Sequence, residues 1–150
     1  MTFKHGKFSV DRLPVCKTLL CLSFLIGCGE SKISTYPVSG TVVFEDGSPV
    51  RTGTVELSSV DHELTATGKI AEDGSFVLGT YQSDDGACQG NHRVIVMQMI
   101  INDGTVNHTK DHGKPVDPMY ASYGSSPLTA TVTAQDGSML KLTVTPSLRR

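Results

Sequence analysis

Three groups of side chains in this 150-residue chain have types and spacing that invite chemistry. His108 and His112 flank Asp111 in His-Thr-Lys-Asp-His, the i, i+4 spacing that turns two imidazoles onto one metal when the segment is helical. Gly113-Lys114-Pro115 follows at once and argues against a helix. The pair therefore reads as solvated loop residues and no metal is expected, even with Asp103, Asp111 and Asp117 close by. Cys88 and His92 supply a nucleophile and a base by type. On an extended strand they would stand about 13 Å apart, whereas such a pair works only near contact. Tyr120 and Tyr123, in Pro-Met-Tyr-Ala-Ser-Tyr-Gly, are aromatics that could stack on a sugar or anchor a partner protein. Tyr120 suits equally a structural role, with its ring tucked over a sheet and its hydroxyl bonded to the loop. A Gly-x-Ser-x-Gly elbow is missing, and the acidic turns at Glu72-Asp73 and Asp84-Asp85 lack the ligand ladder of a calcium loop. Neither an enzyme nor a cofactor is expected.

The elements that must position these groups read as strands. From Tyr36 onward apolar residues recur with period two, and no window of helical length carries a period of 3.6. Val38, Val42 and Phe44 share a face with Gly40, and Val55 alternates with Leu57. Leu64, Ala66, Gly68 and Ile70 alternate strictly with Thr65, Thr67 and Lys69, the mark of a strand dry on one face and wet on the other. Phe76 with Leu78, Leu128 with Ala130 and Val132, and Leu140 with Leu142 and Val144 continue the pattern. His92 to Ile101 is apolar on both parities, as in a central strand covered on both faces by its own chain. Seven strands result. Asp73-Gly74 and Asp136-Gly137 sit between alternating runs, where Asp-Gly favours tight hairpin turns. Residues 102–127 form a long polar loop, too long to be a plain connection, and are the first place to look for a binding surface.

The N-terminal segment has a different character. Lys4, Lys7, Arg12 and Lys17 precede a ten-residue apolar run, Thr18 to Gly27, in the order of an export signal. A membrane-spanning helix needs about 20 residues, so the run is too short to stay as an anchor. Leu25-Ile26-Gly27-Cys28 closes it and resembles the lipobox of bacterial lipoproteins. That resemblance implies diacylglyceryl transfer to the Cys28 sulfur, cleavage before it and acylation of the new amine. Residues 1–27 are then a lipoprotein signal peptide, 28–36 a lipidated tether, and 37–150 the exported domain. Gly29, in place of the Asp associated with inner-membrane retention, favours the outer membrane. The segment 28–150 carries nine basic and fourteen acidic residues, a net charge of −5. Without clustered positive charge, nucleic acid is not an expected partner. Cys88 is the one thiol left after Cys28 is consumed, so no disulfide within the exported chain supports the fold.

Several short pieces carry a second resemblance: Val38-Ser-Gly-Thr-Val42, Gly47-Ser-Pro-Val50, Gly53-Thr-Val55, Asp73-Gly-Ser-Phe76, Asp85-Gly-Ala87 with Gly90, and Ser126-Pro-Leu128. In this order and spacing they look like the small bacterial lipoproteins with a carboxypeptidase-regulatory-like, or transthyretin-like, domain. The resemblance implies an all-β, seven-stranded Greek-key sandwich of prealbumin type, outside the cytoplasm and mostly without assigned activity. Gln89 and His92 stand where the family often has Pro and Tyr. A purine-breakdown hydrolase of this fold ends in Tyr-Arg-Gly-Ser, a signature that Pro146 to Arg150 lacks. Related iron dioxygenases use two Tyr and two His, which Tyr120, Tyr123, His108 and His112 could imitate, but their chain is much larger. The expected function is therefore a non-enzymatic, lipid-anchored envelope module with a structural, adhesive or protein-interaction role. Its partners would be the membrane through Cys28 and an envelope protein. The alternative is a glycan-binding module using the 102–127 loop and its Tyr120, Tyr123, His108 and His112.

Overall fold

In the computed structural model, the described residues are 2, 32–98, 113–134 and 137–148. The expected signal peptide, apart from Thr2, and Cys28, His108, His112, the end of the His92 to Ile101 run and the expected Gln135-Asp136 turn lie outside them. The fold is all β, with nine strands among the described residues: β1 (Thr35–Tyr36), β2 (Val38–Phe44), β3 (Gly53–Ser59), β4 (Thr65–Ile70), β5 (Ser75–Val77), β6 (Ala87–Cys88), β7 (Gly90–Met97), β8 (Thr129–Val132) and β9 (Ser138–Val144). Each of the seven expected runs holds one of them. The two additions, β1 and β6, are two residues long and pair antiparallel, Thr35 opposite Cys88 and Tyr36 opposite Ala87.

The others form a three-stranded sheet, β5-β2-β9, and a four-stranded sheet, β4-β3-β7-β8. β2 and β9 run parallel from Val38 opposite Ser138 to Phe44 opposite Val144, and every pairing in the larger sheet is antiparallel. One core joins the two sheets: Val38, Val42, Phe44, Phe76, Leu142 and Val144 from one, Val55, Leu57, Ala66, Val94, Val96 and Val132 from the other. The period-two pattern explains it, since alternate residues point to one face and burial in β4 runs strictly exposed, buried, exposed, buried. β7 lies inside its sheet, with Val94 and Val96 in the core and Ile95, on the opposite parity, also buried. The short 3-10 helix Pro118–Ala121 packs against it.

Two connections differ from expectation. Asp73-Gly74 does turn the chain back antiparallel on β4, with Thr67 and Gly79 exchanging backbone hydrogen bonds at 2.9 and 3.0 Å, but β5 takes its ladder on β2 in the other sheet, so the hairpin splits between sheets. The turn is tight, with Ala71 N–H donating to Ser75 O at 2.8 Å, but Val42 N–H donates to Gly74 O and draws β5 onto β2. Gly137 likewise lies between β8 and β9, which sit in different sheets. Gly40 is a point of close backbone approach: a Cβ there would stand 2.3 Å from Leu140 O.

Register fixes two ends for the molecule. At one lie Val38, Val77 and Ser138, the β3–β4 turn at 60–64 and the entry of the chain through β1. At the other lie Phe44, Val144, the turn at 45–48 and the returning segment that begins at Gly113.

Candidate functional site

Of the 102–127 loop, residues 113–127 are described; the chain fastens 114–120 to the far end of the domain and then runs back over the outer face of the four-stranded sheet. The Lys114 ammonium donates to the Asp46 carboxylate and to Ser48 Oγ (3.4 Å), and lies 5.7 Å from the centre of the Phe44 ring. That contact, with the Ser48 hydroxyl and amide, holds the Asp46 carboxyl well below its ordinary value. Val116 bridges Pro146 and donates its N–H to Gln98 Oε1 at 2.8 Å. Asp117 caps the 3-10 helix, its Oδ1 accepting from Met119 N–H at 2.9 Å, and Pro118 at the first helical position gives up no bond because it has no N–H.

The two tyrosines separate here. Tyr120 is 6 % exposed and joins the core, its hydroxyl accepting from Thr145 N–H at 3.3 Å and lying 3.4 Å from Thr145 Oγ1. As a binding-loop residue it is therefore corrected: its ring fills the end of the sandwich and its one polar atom is engaged. The reason is local, because the Asp117 cap and Pro118 fix a turn that aims position 120 inward. Tyr123, three residues on, lies half-buried over the outer face of the four-stranded sheet. Its hydroxyl donates to Glu56 Oε2 (3.4 Å) and the Arg93 guanidinium stacks 5.3 Å from its ring centre. Burial, reinforced by the Glu56 charge, raises the phenol above its ordinary value. Ser125 Oγ donates to Met119 O and Ser126 Oγ to Val94 O, both at 2.6 Å, tying the segment back to β7. Met119 remains exposed between these ties.

Cys88 and His92 come closer than an extended strand would allow. Gly90, at φ 124°, breaks the chain between β6 and β7, and the buried His92 places Nε2 2.9 Å from Cys88 O. With Nε2–H as the donor, the ring orients the β6 backbone and leaves Nδ1 buried without a partner among the described residues. The contact is to a carbonyl, so the imidazole serves the fold. No group of three or more His, Cys, Asp or Glu is gathered for a metal among the described residues.

Sequence reading missed the docking of the tether. Residues 32–36 are part of the domain: Thr35 and Tyr36 form β1, Ile33 N–H donates to the Tyr81 hydroxyl (3.2 Å), and the Lys32 ammonium lies 5.1 Å from the Tyr81 ring centre. Tyr81 is held by Asp85, whose carboxylate accepts from the N–H groups of Thr80 (2.6 Å), Tyr81 (3.1 Å) and Gln82 (3.1 Å). The signal was present in Asp84-Asp85-Gly86, which marks a turn, but its partner lies some fifty residues earlier and no local pattern reveals it. Beside this loop a cleft of about 580 Å³ runs between β4 and β5, lined by Thr67, Lys69, Ser75, Val77 and Asp84 among others. One amine and one carboxylate there do not make an acid–base pair with a nucleophile. No protein-family model, curated protein or solved structure matches the chain.

Proposed function

We propose that this chain is a lipid-anchored module of the bacterial cell envelope, carried by Cys28 on the outer membrane, with a non-enzymatic structural, adhesive or protein-interaction role. On this reading the domain is a seven-stranded Greek-key sandwich of prealbumin type. The three-plus-four division of the longer strands and the parallel closure of β2 on β9 support it. One observation carries the functional reading: the chain enters at one end of the domain through Lys32 to Tyr36, and residues 114–120 are secured at the opposite end, on Asp46, Pro146 and Thr145. An anchor at Cys28 would then leave the far end free to meet another envelope component.

The glycan-binding alternative loses Tyr120 to the core and keeps Tyr123, whose ring already lies under Arg93. It is tested by glycan binding that Tyr123→Ala abolishes.

For the leading reading, the native chain is expected in the membrane fraction and Cys28→Ser in the soluble fraction. Partition of both forms to the same fraction would refute the anchor. Turnover of an ester, peptide or ureide by the purified protein, lost on substitution within 113–127, would refute the non-enzymatic role.

A further inference from the structure

We propose that the end of the domain ringed by Ile33, Val60, Val77, Tyr81 and Met139 is a membrane-facing surface that rests in the lipid headgroup region; this deepens the anchoring reading above and rests on it. Chain length argues for the bilayer as the occupant. Lys32 and Ile33 are already held on Tyr81, so only the chain from Cys28 to Lys32 separates the lipid from the domain. Four residues span at most about 14 Å even when fully extended. A lipidated Cys28 therefore keeps this end close to the membrane, whereas the opposite end is a further ~20 Å away along the seven residues of β2.

The distribution of apolar surface agrees. Among the described residues the exposed large hydrophobics are Ile33, Val60, Val77, Tyr81, Met119, Met139 and Leu148. Five of them lie at the anchored end. Val60 is on the β3–β4 turn, and Val77 and Met139 both flank Ser39, at the start of β2. Met139 is 87 % exposed and Val60 63 %, far more than a packed core residue of these types. Val77, Met139 and Pro37 also line a shallow pocket of about 270 Å³ on that side. Tyr81 and Lys32 have the amphipathic character suited to a headgroup layer, an apolar body with a polar tip. Neighbouring Asp61, Glu63 and Asp84 make attraction to anionic lipid an unsuitable cause. The tether and the apolar ring set the orientation.

The test uses the lipidated, processed chain in vesicles of phosphatidylethanolamine and phosphatidylglycerol with a spin-labelled headgroup. A fluorophore is placed on Glu63→Cys, in the turn at the anchored end, or on Glu45→Cys, in the turn at the other. Both positions are exposed, whereas Cys88 is 1 % exposed and stays unlabelled. Given ~20 Å between the two ends, quenching at 63 is expected to exceed that at 45 about three-fold or more. Equal quenching, or more at 45, in protein that floats with the vesicles would overturn the orientation and leave the anchor standing. Protein that does not float would overturn the anchor, and the orientation with it. In the double variant Val60→Ser, Met139→Ser, which leaves the Tyr81 clamp in place, flotation is expected to persist and the advantage at 63 to fall about two-fold, because apolar area is lost from the contact. An unchanged advantage would remove the apolar ring from the proposal.

Discussion

Asp46 and Asp73 do the same small task at two turns of identical sequence, Asp-Gly-Ser. Each Oδ1 accepts from the N–H and the hydroxyl of the serine two residues on, at 3.0 and 2.6 Å for Ser48 and 2.9 and 2.6 Å for Ser75. Such bonds favour the ionised carboxylate and lower its pKa; at Asp46 the Lys114 contact contributes most, and at Asp73 the Ser75 hydroxyl. Both groups are at the surface, so each effect is small. With folded values below the unfolded 3.8, their contribution is present above about pH 4 and is lost as the pH falls through the lowered values. Urea unfolding midpoints followed from pH 5 towards pH 2 are expected to decline less steeply in Asp46→Asn/Asp73→Asn than in the native chain. Parallel declines would contradict the bonding described. Tyr123 has the opposite sign. Its raised phenol leaves stability intact below pH 10 and withdraws it as the pH climbs through the folded value. Titration of phenolate absorbance is expected to show one tyrosine ionising later than the rest, and Tyr123→Phe is expected to remove that late phase. The identities of these side chains were readable in the sequence. Their fates were not, because Tyr120 and Tyr123 share a loop and a composition, and only the Asp117 cap decides which one turns inward.

At the scale of elements, alternation was a sufficient guide wherever a strand is dry on one face. β4 is the clearest example, because its threonines and Lys69 face out while Ala66, Gly68 and Ile70 face in. Alternation fails for β1 and β6, since two residues cannot display a period. Their pairing depends instead on Gly86. It sits at φ 81°, which L side chains adopt only with strain, and a Cβ there would stand 1.7 Å from Tyr36 O. Gly86→Ala is therefore expected to part β1 from β6. Amides at Thr35, Tyr36, Ala87 and Cys88 should lose hydrogen-exchange protection while those of β3 keep theirs; unchanged protection at all four would show that the pairing does not depend on this glycine. The Asp73-Gly74 turn was half legible for a related reason. It reverses the chain, and Thr67 pairs antiparallel with Gly79 across it, but β5 is only three residues long and finds its ladder on β2, so the hairpin splits between sheets. Cys88 and His92 were placed too far apart because the break at Gly90 was invisible in a run that otherwise reads as extended.

For the whole molecule, what matters is that its two ends differ. The entering chain is fastened through β1 and Tyr81, and the returning 114–120 segment is fastened through Lys114, Val116 and Tyr120 at the far side of the sheets. The molecule's all-β class was legible because burial on one face imposes the two-residue period. Its polarity was not, since that depends on strand order and register between residues far apart in the chain. The functional account depends above all on Cys28 being the first residue of the mature protein and carrying lipid. Intact-mass measurement of the native protein extracted from membranes tests this most directly. The expected mass is that of residues 28–150 with a diacylglyceryl thioether and an acylated amine at Cys28. A chain that still begins at Met1, or one that begins at Cys28 with a free thiol, would contradict it.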